Sequence, residues 1–256
     1  LEGATVRAAA SGTVAFALAL FVATTAVADE RAAELVALPE PARLGRLVSP
    51  APGSQMPLVI ILPDALGEDG RSEPYVDSLL ARGIATLVLG LGDDLETAPS
   101  PVEPAASPAA AALALAWAAD AGFAAARIGL LGFGLGGRAA MATEAGLPVA
   151  ALYPGCTDLP PRAAAPALVL QGGERARDCD VVAARGDVTV QVLHGAGHAW
   201  DALGAIWPSL GPVLPDPAGG GLLRAQTSLD ATLAAAEAVA DWFTTYLLTP
   251  QRSAAR

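Results

Sequence analysis

Lysine and asparagine are absent from this 256-residue chain, so all fifteen basic residues are arginine, a pattern that reads with the abundant alanine as coding bias. Acidic residues outnumber basic ones, and the net charge of −11 argues against nucleic acid or an anionic membrane surface as the main partner. A small-molecule partner stays open. Histidine is scarce: His194 and His198 are the only two. Their four-residue spacing invites a metal reading, but Gly195 and Gly197 break any helix that would align the rings, and no third ligand is evident. Neither a metal nor a cofactor is therefore expected. Long hydrophobic runs are lacking too; the N-terminal run from Val14 to Val22 is too short to span a bilayer as a stable helix.

That run does have the layout of an export signal. Arg7 sits in a short basic region, Phe16, Leu18, Leu20 and Phe21 fill the apolar stretch, and Ala26-Val27-Ala28 offers the small-x-small cleavage pattern. The sequence predicts a signal peptide over residues 1–28, cleavage near Ala28, and a periplasmic or secreted single domain over residues 29–256. An uncleaved N-terminal anchor is the other reading. The two cysteines, Cys156 and Cys179, suit an oxidising compartment, where they can close a disulfide. Sequence does not supply the Cα separation that a bridge needs, so two free thiols remain the alternative.

What is there is an alternation of strand-like and helical runs. Residues 58–62, 85–89, 128–133, 149–153, 167–170 and 188–193 are short, continuous and rich in Val, Leu and Ile, which suits strands covered on both faces. Residues 42–48 read as an N-terminal edge strand. Helical stretches over 73–82, 105–121, 138–145 and 228–248 fall between and after them. This order predicts an α/β fold with a doubly wound, mostly parallel sheet. Residues 99–108 read as a proline-rich loop, and 208–221 as a long Gly/Pro surface loop.

The most informative segment, residues 127–140, reads R-I-G-L-L-G-F-G-L-G-G-R-A-A and passes from strand through a glycine-rich turn into a helix. Gly132, Gly134 and Gly137 match the dinucleotide fingerprint G-x-G-x-x-G. Gly132 and Gly136 match the nucleophile elbow G-x-nucleophile-x-G, with Gly134 where serine or cysteine belongs. A tight turn without chemistry is a third reading. A dinucleotide site wants an acid at the end of the next strand, about 20 residues on. That strand ends Leu152-Tyr153-Pro154-Gly155, and Asp158 comes too late. Context favours the elbow.

Several further segments carry a resemblance. Residues 57–75, P-L-V-I-I-L-P-D-A-L-G-E-D-G-R-S-E-P-Y, resemble the strand and oxyanion-donor loop of dienelactone-hydrolase-like proteins. Tyr153-Pro154-Gly155-Cys156 resembles the segment after the strand that follows the elbow. H-G-A-G-H-A-W, ending at Trp200, looks like the loop that carries the catalytic histidine. The chain thus resembles the dienelactone hydrolase family from about Pro57 to Leu248, which implies an α/β-hydrolase fold and a small ester, lactone or carboxylate as partner. In that family a cysteine or serine attacks the carbonyl, a histidine takes its proton and an aspartate orients the histidine. The resemblance maps the histidine onto His198 and backbone oxyanion donors onto Leu135 and Ala65. It maps the acid onto Asp178, with Glu174 next, in a loop that is shortened here. Gly134 leaves the nucleophile position without a side chain. Two functions follow as expectations: an exported relative that has lost catalysis, or a hydrolase in which His198 activates water directly in the room left at Gly134.

Overall fold

The computed structural model describes residues 32–90, 105–143, 145–161, 165–186, 188–202 and 211–248. The predicted signal peptide and most of the proline-rich loop lie outside them.

Among the described residues, ten strands and five α-helices follow in the order β1 (Ala32–Ala37), β2 (Leu44–Ser49), β3 (Leu58–Leu62), α1 (Glu73–Ala81), β4 (Ala85–Leu89), α2 (Pro108–Asp120), β5 (Ile128–Phe133), α3 (Gly134–Ala142), β6 (Val149–Leu152), β7 (Ala167–Gly172), α4 (Asp180–Ala184), β8 (Val188–Leu193), β9 (Val213–Pro215), β10 (Leu222–Arg224) and α5 (Leu229–Phe243). The first eight strands form one sheet in the order β1-β2-β4-β3-β5-β6-β7-β8. From β4 to β8 all neighbours are parallel, while β1 and β2 join antiparallel. This is the doubly wound, mostly parallel sheet expected.

The apolar runs form strands because both faces are covered. Along β3, Leu58, Ile60 and Leu62 enter the core on one side of the sheet and Val59 and Ile61 the core on the other. Alanine-rich faces of α2 and α3 cover the first side through Ala110, Ala114, Ala118 and Ala140. On the second side α1 supplies Tyr75, Val76 and Leu79, and α5 supplies Ala235, Val239 and Phe243. Ser107 and Ser228 cap α2 and α5 by accepting from Ala110 N and Ala231 N.

Four expectations need correction. Residues 42–48 are not the sheet edge, because β1 lies outside β2. Among the residues of β1 whose burial is described only Val36 is buried, so its sequence carries no alternation to read. The strand expected over 149–153 stops at Leu152, since Tyr153 turns into the left-handed region at φ 39°. The helix expected from residue 138 starts at Gly134, four residues earlier: packing against β5 and β6 overrides the poor helix propensity of its glycines. The Gly/Pro stretch 208–221, described from residue 211, is not only loop. It contributes β9 to a hairpin with β10, anchored by the fully buried Leu214.

Strand order reverses between β3 and β5, so the crevice beyond their C-terminal ends is the topological switch point where α/β folds place ligands. Cys156 and Cys179 form a disulfide at the same end of the sheet, with a Cα–Cα separation of 4.9 Å. It ties the loop after β6 to the helical turn after β7.

Candidate active site

At the switch point the chain after β5 turns sharply into α3, and glycine is required for contact reasons. A Cβ on Gly136 would lie 2.1 Å from the carbonyl oxygen of Pro63, so only glycine lets this turn pack on the end of β3. Gly134 has φ +49°, the left-handed conformation of a residue displayed at the tip of such a turn. A Cβ built there would meet Asp64 Oδ1 at 2.2 Å, its Cγ at 2.5 Å and Oδ2 at 2.7 Å. The space that a side chain at Gly134 would take is therefore filled by the carboxylate of Asp64, delivered from the loop after β3.

The predicted backbone donors do converge, and on this carboxylate. Asp64 Oδ1 accepts from Ala65 N at 2.8 Å and from Leu135 N at 3.2 Å. Oδ2 accepts from the Arg71 guanidinium at 3.0 Å. All three partners are donors, the pattern suited to an ionised carboxylate. Burial raises the Asp64 pKa, and Arg71 with the two amides opposes that rise.

Arg71 is the hub of a buried polar network. It holds Asp69 through Nε at 2.8 Å and a second guanidinium nitrogen at 2.6 Å, and donates to the Tyr153 hydroxyl at 3.2 Å. Tyr153 then donates to Asp201 Oδ1 at 2.6 Å, and Tyr75 donates to Asp201 Oδ2 at 2.8 Å. Trp200 Nε1 donates to the Tyr75 hydroxyl at 3.3 Å. Burial works against the Arg71 charge, but Tyr153, Asp69, Asp201 and Asp64 keep its pKa raised. Asp201 is fully buried, and burial lifts its pKa from 3.8 to about 6 against the opposing pull of Arg71 and the two tyrosines. Positive φ at Tyr153 (39°) and Ala199 (47°) places two strained non-glycine residues around this network.

His198 sits on the loop after β8 with its ring edge-on to Tyr153 at a centroid distance of 5.1 Å. Its Nε2 is buried without a hydrogen-bond partner. Burial, then Arg71 and Arg175, push its pKa from 6.5 down to about 4, with Asp216 opposing. The ring is thus neutral at pH 7. His194 is exposed on the preceding turn and does not join it. Asp178 is not brought to His198: its carboxylate accepts from Arg175 Nε at 3.0 Å. Glu174 accepts from Gln226 at 3.2 Å. From the turn after β7, the charge that bears on His198 is the cation Arg175. Among the described residues no three or more His, Cys, Asp or Glu side chains gather as a metal site, and no helix is long and apolar enough to cross a membrane.

Sequence reading had placed an oxyanion donor at Ala65 but passed over Asp64 beside it, although an acid directly after an apolar strand was a visible signal. It also missed Arg71 and Asp201. Asp201 is an isolated acid in the apolar stretch Ala199-Trp200-Asp201-Ala202, a pattern that asks for a buried partner.

The sheet order, the crevice and the elbow define an α/β-hydrolase fold, and solved structures agree. A protein from Klebsiella pneumoniae subsp. pneumoniae, provisionally named a dienelactone hydrolase, superposes with a TM-score of 0.60 at 19% identity, covering 84% of this chain and 99% of its own. A dienelactone hydrolase-like promiscuous phosphotriesterase from metagenomic libraries gives 0.56 at 18% identity, over 84% and 98% of the two chains. The dienelactone hydrolase of Anabaena variabilis gives 0.53 at 19%, over 85% and 99%. No protein-family model matches the chain, and no curated protein matches it by sequence.

Proposed function

We propose that this protein is a dienelactone-hydrolase-like protein that has lost ester hydrolysis because its own Asp64 fills the oxyanion hole. The observation that carries this reading is the seat of the Asp64 carboxylate, on the amides of Ala65 and Leu135 and against the space above Gly134. A substrate carbonyl oxygen needs those same two donors. Vacating them would strip a buried carboxylate of its partners, a change that costs about 3–5 kcal/mol when one side of a buried ion pair is lost. At 1.4 kcal/mol per factor of ten, the open form is populated at roughly 10⁻² to 10⁻⁴. Gly134 supplies no nucleophile in that minor form either.

The imidazole of His198, its pKa lowered by burial and its Nε2 buried without a hydrogen-bond partner, is the feature that favours the second reading, a histidine-activated water. The room such a water would use at Gly134 holds Asp64 instead. The test is hydrolysis of p-nitrophenyl acetate by the purified chain beside His198→Gln. Equal rates, at the level of buffer, are expected. A rate that falls with His198→Gln would overturn the loss of catalysis and support the histidine route.

Export is part of the same proposal. It rests on the N-terminal pattern ending at Ala28 and on the Cys156–Cys179 disulfide, which an oxidising compartment maintains. N-terminal sequencing of protein recovered from the periplasm or medium should begin near Asp29; an intact N-terminus on cytoplasmic protein would contradict it.

A further inference from the structure

The β9–β10 hairpin forms a two-stranded sheet of its own, apart from the eight-stranded one, with three residue pairs between its strands. Leu214 is fully buried, whereas Val213 and Leu222 are 41% and 70% exposed, so little apolar surface holds the hairpin down. Its base is stitched to the body. Ala225 N donates to the Pro212 carbonyl at 2.9 Å, and Gln226 N donates to the His198 carbonyl at 2.8 Å. Its tip stands clear: a Cβ built on Gly219, Gly220 or Gly221 would meet nothing within 4 Å.

Two contacts hold the arm that carries this tip. Arg175 donates to Asp216 Oδ1 at 2.9 Å, and both side chains are partly buried. Ala218 backs onto Gly155, where an added Cβ would lie 2.8 Å from its own. Gly155 adjoins Cys156, and Arg175 lies on the turn that ends at Cys179, so the disulfide joins the two posts on which the hairpin rests. Leu223 and Arg224 of β10 supply one wall of a recess of about 150 Å³, and His198 is among the residues of the other walls. Both members of the Arg175–Asp216 pair bear on that histidine, Arg175 pushing its pKa down and Asp216 opposing, which sets the pair beside it.

We propose that the β9–β10 hairpin is a flap that hinges near Pro212 and Ala225, governs access to His198, and is latched shut by the Arg175–Asp216 ion pair. Lifting the hairpin removes the wall made by Leu223 and Arg224 and breaks that one ion pair, while the eight-stranded sheet stays intact. The inference goes beyond the loss of hydrolysis and does not depend on it, because it concerns what reaches the histidine rather than what the histidine does.

The two histidines make the test internal, since His194 is exposed and His198 is not. The full chain is treated with diethylpyrocarbonate at pH 7, and modification is read at each histidine by peptide mass spectrometry. Asp216→Asn removes the latch charge but keeps an oxygen that can accept from Ala218 N, as Asp216 Oδ1 does at 2.9 Å. It should speed modification of His198 about tenfold, the equivalent of about 1.4 kcal/mol, and leave His194 unchanged. Removing a carboxylate that raises the His198 pKa gives no more neutral imidazole at pH 7, so a faster rate reports access rather than protonation. Asp178→Asn takes away the other partner of Arg175 and should leave His198 within about twofold of the parent. Hydrogen exchange of the parent supplies a check without variants: Asp216 N, bonded to Gly221 O, should exchange at least about a hundredfold faster than Tyr153 N, bonded to Leu170 O at the sheet end. An unchanged His198 rate in Asp216→Asn, an equal rise at His194 or in Asp178→Asn, or hairpin amides as slow as Tyr153 N would each overturn the proposal.

Discussion

Placing a serine at Gly134 is the direct way to give the turn a nucleophile, and the structure predicts that on its own it fails in a measurable way. The new Cβ would land 2.2 Å from Asp64 Oδ1, so Asp64 must leave. Leaving means giving up the amides of Ala65 and Leu135 and the ion pair with Arg71, whose side chain is 1% exposed. Loss of one member of such a buried arrangement costs about 3–5 kcal/mol. A non-glycine residue in the left-handed region adds about 1–2 kcal/mol. Gly134→Ser alone should therefore destabilise by about 4–7 kcal/mol. Asp64→Ala alone should cost about 3–5 kcal/mol, because Arg71 keeps Asp69 but loses its buried anion. Together they should cost about 4–7 kcal/mol, not the sum, since the carboxylate that obstructs the serine is already gone. Urea unfolding of the four proteins gives the coupling directly, expected at about 3 kcal/mol or more in favour of the double variant. Additivity within about 0.5 kcal/mol would refute the claim that Asp64 occupies the nucleophile's place.

Further predictions concern the groups around that seat. Asp201 and His198 should act oppositely on stability over one pH window. Asp201 titrates at about 6 rather than 3.8, so the folded state holds its proton longer and stability falls by about 2 kcal/mol as pH rises from 4 to 6. His198 titrates at about 4 rather than 6.5, so stability falls by about 2 kcal/mol as pH drops through the same range. Their effects nearly cancel in the parent. His198→Gln should leave stability declining with pH and Asp201→Asn should leave it rising, as read by chemical unfolding at pH 4 and 6.5; parallel profiles for the two variants would contradict the assignment. Arg71→Lys should destabilise by at least about 2 kcal/mol despite retaining charge, because an ammonium cannot hold Asp69 in two places while reaching Asp64 and Tyr153. Reduction of Cys156–Cys179, which closes a loop with a sequence separation of 23, should lower stability by about 3 kcal/mol, read as a fall in the urea midpoint with reductant.

The fold was legible because its signals are local and redundant. Strands β3, β4, β5 and β8 fall on the expected residues, since a short apolar run between turns has few alternatives in a covered sheet. The weaker elements were hidden for physical reasons: among the residues of β1 whose burial is described only Val36 is buried, and β9 lies in a stretch dominated by Gly and Pro. The site was legible only in its backbone. Ala65 and Leu135 follow from the turn geometry and do meet, but what they hold does not follow from either segment alone. Asp64 and Gly134 are 70 positions apart by number, and only the parallel pairing of β3 with β5 makes one side chain fill the space the other lacks. The position of Asp178 was drawn by resemblance, and its pairing with Arg175 depends on a three-residue reach that resemblance does not encode.

The central claim is that the amides of Ala65 and Leu135 are occupied by the carboxylate of Asp64. Proton–nitrogen correlation spectra of the parent and Asp64→Ala test it at those atoms. Both amide protons should resonate downfield in the parent, as donors to a charged oxygen do, and both should move upfield together when the carboxylate is removed. Amides that stay put, or a shift at one and not the other, would mean that the hole is not filled by Asp64 and that the account of lost catalysis fails.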